Sequence, residues 1–367
     1  MKRNKKLILA VCCTMLLFAQ SCEQMGKLMR GSSTPEELFA KYRKSVVMIK
    51  NEYFYVIKLT NSKSTELYFT ELDNGNIKNV EFDASKVSPK TTYGTGFFVS
   101  ADGKIATNRH VADPPIDDAK ELLRRLKATF DKSKLTYQDE IADYTKKMTD
   151  IKTYIRAKQS EDELSQEDFN KLQLAYTDYE SKREKANSTL SLLDFDPNTS
   201  TIEAKVVTMG VAYDNTFVTK SSDYKECVRL KVATDGADLA LLQLKDKTIP
   251  ANTEVFTIPE KKSEEKDNEA HKLLKINTKL YMIGYNYANA VGATDEGLKA
   301  QLTQGTVSQE PTKFQFLHTI PTLSGSSGSP IIDEEGNLVG VNFAGMRNTQ
   351  SFNYAVPIKN LKKLLDE

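Results

Sequence analysis

From Gly103 to Gly210 the chain has no intervening glycine, and from Pro115 to Pro197 no intervening proline. A stretch that long without either breaker can stay regular throughout, and its apolar period says which regular structure it takes. Leu123, Leu126, Phe130, Tyr137, Ile141, Tyr144, Met148, Ile151 and Ile155 follow a 3,4 spacing, with one heptad position skipped near Lys134. A second series runs through Phe169, Leu172, Tyr176, Tyr179, Arg183, Ala186, Leu190 and Leu193. Both are heptad seams. The polar stretch Gln159 to Leu164 separates them, and Ser165 with Asp168 forms a capping-box-like start for the second. The spacing predicts an antiparallel coiled-coil hairpin over 113–200. At 1.5 Å per residue its helices, 120–157 and 165–193, would extend about 57 and 44 Å. Arg183 within the seam suits a two-helix ribbon, which buries only one stripe. Such an arm is either a solvated structural element or a surface for gating and partner binding.

On both sides of this window the texture is β. Val46 to Ile49, Tyr53 to Leu59, Glu66 to Leu72, Ile77 to Phe82 and Gly96 to Val99 precede it; they are short, β-branched or aromatic, and punctuated by Asn74-Gly75 and Asp102-Gly103. Ala204 to Val211, Val228 to Val232, Leu239 to Leu244, Lys279 to Ile283, Phe314 to Leu317, Pro330 to Ile332 and Leu338 to Phe343 follow it. Thr34-Pro35-Glu36-Glu37 reads as a helix start before the first strands, and Ile358 to Leu365 as an amphipathic helix after the last. Many short strands at this spacing predict a sandwich or barrel. At 367 residues and 39% hydrophobic content the chain can bury two cores, and its 28% charged fraction predicts an exposed segment that takes up the polar excess. The net charge of +1 leaves no global basic field, so nucleic acid is not an expected partner.

Lys2, Arg3, Lys5 and Lys6 precede the apolar run Leu7 to Ala19, which is too short to span a bilayer but suits a signal peptide over 1–21. Ala19-Gln20-Ser21-Cys22 resembles a bacterial lipobox, which would put a lipid on Cys22 and make 22–33 a tether; Ala-Gln-Ser also suits an ordinary signal peptidase and a soluble secreted product. The expected location is therefore outside the cytoplasm, as a lipoprotein facing the periplasm or cell surface. Cys12 and Cys13 would leave with the signal, so Cys227 would be alone in the mature chain, without a disulfide and more in keeping with a small core residue than a nucleophile. The only histidines are His110, His271 and His318, and no CxxC or HExxH pattern is present, so neither a metal nor a cofactor is expected.

Three segments carry chemistry. Gly94-Thr95-Gly96-Phe97-Phe98-Val99 turns at Asp102-Gly103 into Ile105-Ala106-Thr107-Asn108-Arg109-His110-Val111, placing His110 just past a strand end. Asp238 heads the apolar run Leu239-Ala240-Leu241-Leu242. Gly325-Ser326-Ser327-Gly328-Ser329-Pro330 is a glycine-flanked serine leading into an apolar strand. Serine hydrolysis needs all three: a histidine to take the hydroxyl proton, a carboxylate to hold the ring in the right tautomer, and glycines that let two amide N–H groups face the developing oxyanion. Each segment alone is weak, since a glycine-serine loop is usually a turn and a single histidine usually structural. Together, in the order His, Asp, Ser and with β texture around each, they point to one site.

These motifs resemble those of the trypsin-like serine proteases of the chymotrypsin fold, particularly the bacterial HtrA (Deg) branch. TNRHV is similar to that family's TNxHV, DLALL to its DxALL, and GSSGSP to its GNSGGP; Phe352 to Pro357 followed by a helix resembles the branch's closing segment. The likeness covers about residues 35–112 and 201–367. It implies an all-β double barrel of two six-stranded antiparallel barrels, with the coiled-coil hairpin inserted. The N-terminal barrel would comprise 34–112 and 201–246, and the C-terminal barrel with its closing helix 247–367. By the resemblance His110 is the general base, Asp238 its orienting carboxylate and Ser327 the nucleophile, with Gly325 and Ser327 as oxyanion-hole donors. Protein or peptide substrates are implied.

The HtrA enzymes carry PDZ domains after the protease domain, whereas this sequence runs ten residues past Pro357, so PDZ-mediated capture is not expected. The 128 positions between His110 and Asp238 are more than the fold needs, and the helical window fills them; an arm leaving just after the histidine suggests gating or substrate presentation. Ser329 resembles the glutamate-specific branch, but Asn342 stands where that branch has its histidine. Pro321, Thr322, Asn342, Phe343 and Ala344 are the expected P1 pocket, and with no acid among them the expectation is a small or medium uncharged P1 residue. His318 is expected to be structural. The rival reading is a catalytically inactive or latent scaffold that binds envelope partners through the coiled coil.

Overall fold

The computed structural model describes residues 33–60, 64–258, 274–286, 292–345 and 352–367. The signal-like segment, Cys22 and His271 lie outside these residues.

Helix α1 (Pro35–Tyr42) opens on a complete capping box: Glu37 N–H donates to Thr34 Oγ1 at 3.2 Å and Thr34 N–H to Glu37 Oε2 at 2.9 Å. It buries Leu38 and Tyr42, and the Tyr42 ring stacks on Phe256 at 4.5 Å. Strands β1 (Val46–Lys58), β2 (Glu66–Phe69), β3 (Glu71–Asp73), β4 (Asn76–Lys78), β5 (Lys90–Phe98) and β6 (Lys104–Thr107) follow. The two runs expected at 46–49 and 53–59 are one continuous strand. Asn74 and Gly75, at φ 48° and 75°, turn β3 straight back into β4, and the run expected over 77–82 is shorter because Asn79, at φ 52°, breaks the extended path after Lys78.

Helices α2 (Arg109–Ala112), α3 (Ala119–Ser160) and α4 (Gln166–Leu192) come next, then β7 (Thr201–Tyr213), β8 (Lys225–Val232) and β9 (Ala240–Leu244). The first sheet has the order β2-β1-β5-β6-β9-β8-β7, and β7 pairs back with β1, so six strands close a ring and β2 extends β1 outside it. The remaining strands are β10 (Lys279–Gly284), β11 (Ala293–Thr294), β12 (Gly297–Leu298), β13 (Gln301–Gln309), β14 (Phe316–His318), β15 (Pro330–Ile332), β16 (Leu338–Gly345) and β17 (Asn353–Pro357). Six of them close a second barrel in the order β10-β13-β14-β17-β16-β15. Helix α5 (Ile358–Asp366) ends the chain and buries Leu361 and Leu364. The fold is thus the double antiparallel barrel with an inserted helical hairpin.

Contacts divide the chain into two compact units. Among the described residues the first comprises those up to Lys50, Tyr93–Ala112 and those from Gly210 to Glu367. One cluster in it joins Leu38, Met48, Phe97, Leu241, Tyr281, Tyr285 and Val356, and a second fills the last barrel with Met282, Val307, Phe316, Ile331 and Val339. Cys227 is buried here, and that burial pushes its thiol up to about 12, which leaves it inert at neutral pH.

The second unit comprises Asn51–Thr92 and Asp113–Met209. Its helices span 42 and 27 residues, and Ser165 Oγ accepts from Asp168 N–H at 3.1 Å to start the second. The Tyr144 and Tyr179 rings stack at 6.1 Å along the seam, and Met148 and Ala186 are buried in it. At the base, Leu122, Leu123, Leu126 and Phe195 share a core with Tyr53, Tyr55, Ile57, Leu67 and Phe69. The unit is therefore wider than the 113–200 drawn from sequence. Residues 51–92 belong with it, because β1 carries its apolar side chains on into this second core.

Candidate active site

Strand pairing brings the first two segments together. In the β6–β9 register Thr107 lies opposite Ala240, so the residues just beyond those ends, Asn108 to His110 and Asp238, must meet. Asp238 grips His110 with both oxygens: Oδ2 lies 2.6 Å from the ring Nδ1, and Oδ1 accepts the His110 backbone N–H at 3.0 Å. Two bonds at right positions fix the ring's orientation as well as its tautomer, because an Nδ1–H facing a carboxylate leaves Nε2 as the base. Asn108 Nδ2 donates to the Asp238 carbonyl at 2.8 Å and steadies the acid from its backbone side. Both His110 and Asp238 keep partial exposure, 37% and 25% of their side chains, so the pair is open to solvent.

The serine loop is held in an unusual backbone path. Gly325 and Gly328 take φ of +92° and +89°, a region open to glycine at little cost. At Gly328 a Cβ would stand 1.9 Å from the Thr95 carbonyl oxygen and 2.4 Å from Thr107 Oγ1, so no side chain fits there. Every polar group of Thr95 is hydrogen-bonded, and two of its bonds tie the loop to β5. Its N–H donates to the Ser327 carbonyl at 2.7 Å and its hydroxyl to the Gly325 carbonyl at 2.7 Å. Tyr285 N–H donates to Thr95 Oγ1 at 3.1 Å, and Thr107 Oγ1 to its carbonyl at 2.7 Å. Among the described residues nothing accepts from the N–H groups of Gly325 and Ser327, which stay available for an incoming oxygen.

Ser327 is half-buried, and its hydroxyl donates to the Phe343 carbonyl at 3.2 Å; no hydrogen bond from it to His110 is present among the described residues. Ser329 is fully buried, and its hydroxyl fits because Gly284 has no Cβ, which would lie 2.0 Å away.

The expected pocket residues differ in exposure. Pro321 is exposed, and Thr322 and Phe343 are partly buried. Asn342 is fully buried with its amide bonded to Thr322 and Ser326, and Ala344 is described only as a position in β16. His318 is fully buried in β14, where its Nδ1 accepts from Ile320 N–H at 3.2 Å. Burial pushes its imidazole down to about 4, partly offset by the Tyr354 backbone and the Asn342 side chain. The sequence reading missed the work of Thr95 and Asn108. Both lie within motifs it quotes, and only their long-range partners reveal what they do. No cluster of three or more His, Cys, Asp or Glu able to hold a metal occurs among the described residues, and no helix among them is long and apolar enough to cross a membrane.

Residues 201–341 match the family model of the trypsin-like peptidase domain. Among solved structures the chain is similar to the serine endoprotease from Yersinia pestis, at 14% identity and a TM-score of 0.41, over 91% of this chain and 66% of that one. The chain thus spans just under two thirds of that protein's length. No curated protein matches the sequence.

Proposed function

From a trypsin-like peptidase domain over residues 201–341, we propose that this chain is an exported serine endopeptidase. The observation that carries the reading is the two-bond clasp of Asp238 on His110, at 2.6 and 3.0 Å, in the same compact unit as the glycine-bounded Ser327 loop. In this reading Ser327 Oγ turns from the Phe343 carbonyl to His110 Nε2, gives up its proton there and bonds to the substrate carbonyl carbon. The carbonyl oxygen takes up the negative charge between the N–H groups of Gly325 and Ser327. The imidazolium, stabilised by Asp238, then protonates the leaving amine as the C–N bond breaks. Water reverses the sequence: His110 takes its proton, the hydroxide attacks the acyl group, and Ser327 recovers its hydrogen.

The Ser327–Phe343 bond favours a second reading, a latent site whose nucleophile is parked until a substrate or partner takes that carbonyl. One experiment separates the two. The protein is incubated with a fluorophosphonate beside Ser327→Ala, and labelling of the parent alone is expected. Labelling of neither well-folded form would sink the active-enzyme reading.

The coiled-coil arm serves gating or the binding of substrate or partner in this proposal, and Cys22 carries a lipid that holds the protein at a membrane. Because the base of the hairpin shares a core with β1 and β2, the arm is tested by removing its outer part, residues 138–185. Unchanged cleavage of a protein substrate and unchanged partners would reject a role for it. Loss of membrane association and of metabolic acyl labelling in Cys22→Ser tests the lipid.

A further inference from the structure

The resemblance puts Asn342 in the wall of the P1 pocket, and the structure gives it a different set of partners. It is fully buried, and both ends of its amide are taken by protein groups. Nδ2 donates to the Ser326 carbonyl at 3.0 Å and lies 3.2 Å from Ser326 Oγ, while Oδ1 accepts from Thr322 Oγ1 at 2.9 Å. The orientation of the amide is not a free choice, because a backbone carbonyl can only accept, so the end facing Ser326 must be the NH₂. The backbone of Asn342 grips the same loop, accepting from Gly328 N–H at 2.7 Å and donating to the Ser329 carbonyl at 2.9 Å.

The consequence follows from peptide geometry. In a planar trans peptide the C=O and the next N–H point in opposite directions. Clamping the Ser326 carbonyl therefore sets the direction of the Ser327 N–H, one of the two groups left without an acceptor among the described residues. We infer that Asn342 is a positioning residue for the oxyanion hole, holding the 326–327 peptide so that the Ser327 N–H faces the reacting oxygen, and that it takes no part in P1 selection. Thr322 acts behind it, fixing which way the amide points. This inference rests on the peptidase reading and deepens it.

The test compares full-length protein with Asn342→Leu, which keeps size and loses the donor, in steady-state peptide hydrolysis, P1 profiling and binding of a peptide aldehyde. The aldehyde's hemiacetal oxygen occupies the hole, whereas a bound peptide substrate asks little of it. A kcat lower by about 100-fold is expected, in line with the loss of one oxyanion donor. KM should stay within about threefold and the P1 preference should not change, and aldehyde affinity should fall in step with kcat/KM. A purely structural role would not split kcat from KM in this way. If Asn342→Leu does not fold, Asn342→Asp, of the same shape and still polar, carries the measurement, since its carboxylate has no proton to donate to Ser326. An unchanged kcat with an altered KM or P1 preference would return Asn342 to the pocket wall and overturn the inference while leaving the peptidase reading intact. A parent protein that neither cleaves peptides nor reacts with a fluorophosphonate would overturn both.

Discussion

The two compact units use the same kinds of residue to opposite ends. In the first, polar side chains are buried and tied to backbone far away in the sequence. Thr95 reaches Gly325 and Ser327, Asn342 reaches Ser326, and Asn353 Nδ2 reaches the Ile320 carbonyl at 2.7 Å. In the second, the polar groups of the long helices are mostly exposed and pair with neighbours one turn away, as Lys147 does with Asp143 and Lys182 with Asp178. Even the seam is only half-closed: Ile141, Tyr144, Ile151 and Ile155 keep intermediate exposure. A ribbon of two helices has one buried stripe and no interior in which a polar group could be trapped. The lesson is that long-range hydrogen bonds build a site, whereas local ones only build length.

That contrast is open to being broken. The largest effect is expected at Gly328, where alanine would need φ near +89° and a Cβ 1.9 Å from the Thr95 carbonyl. Gly328→Ala should cost about 3 kcal/mol or more, seen as a lower thermal midpoint in near-ultraviolet circular dichroism. An unchanged midpoint would mean that the loop is not held as tightly as its bonds imply.

Next comes His318. Its folded-state value of about 4 lies below the ordinary 6.5, so the fold favours the neutral ring. Stability from this group is full above pH 6.5 and is lost as pH falls through 6.5 toward 4, by about 3 kcal/mol in all. Urea midpoints of the parent and His318→Leu, taken at intervals from pH 7.5 to 4, should converge at the acid end. Parallel curves would show that the ring is not held neutral.

In the arm the expected effects are smaller. Met148, buried in the seam, should cost about 2 kcal/mol on truncation to alanine. The loss should appear as faster hydrogen exchange in the two helices, with cleavage of short peptides unaffected. Lys182→Gln, which breaks an exposed pair one helical turn long, should leave the melting temperature unmoved. If Lys182→Gln cost as much as Met148→Ala, the arm would depend on its ion pairs and the contrast between the units would be wrong.

What could be read in advance follows the range of the forces involved. The coiled-coil hairpin was legible because helix period, seam and the absence of glycine and proline are local properties. Its second helix even begins where Ser165 and Asp168 mark it. The capping box at Thr34 and the turn at Asn74-Gly75 were legible for the same reason. Residues 51–92 were harder. Their alternation says strand, but whether a strand's apolar face meets a barrel interior or the base of two helices is not encoded in its period. The partners of Asn342 were harder still, because the resemblance gives only its position on a late strand and its bonds to Ser326 and Thr322 come from loops 16 and 20 residues away.

The sequence by itself determined the two textures of the chain and the place where one gives way to the other, and it singled out His110, Asp238 and Ser327 as the residues to look for. These rest on residue chemistry and on spacings of two to seven positions. Only the tertiary structure decided that Asp238 uses both oxygens on His110, that the Ser327 hydroxyl faces Phe343, and that the Asn342 amide turns to Ser326. A buried polar group must find a partner, and in a closed barrel that partner comes from whichever strand the ring brings beside it, at sequence separations from 16 to 128 residues in these cases.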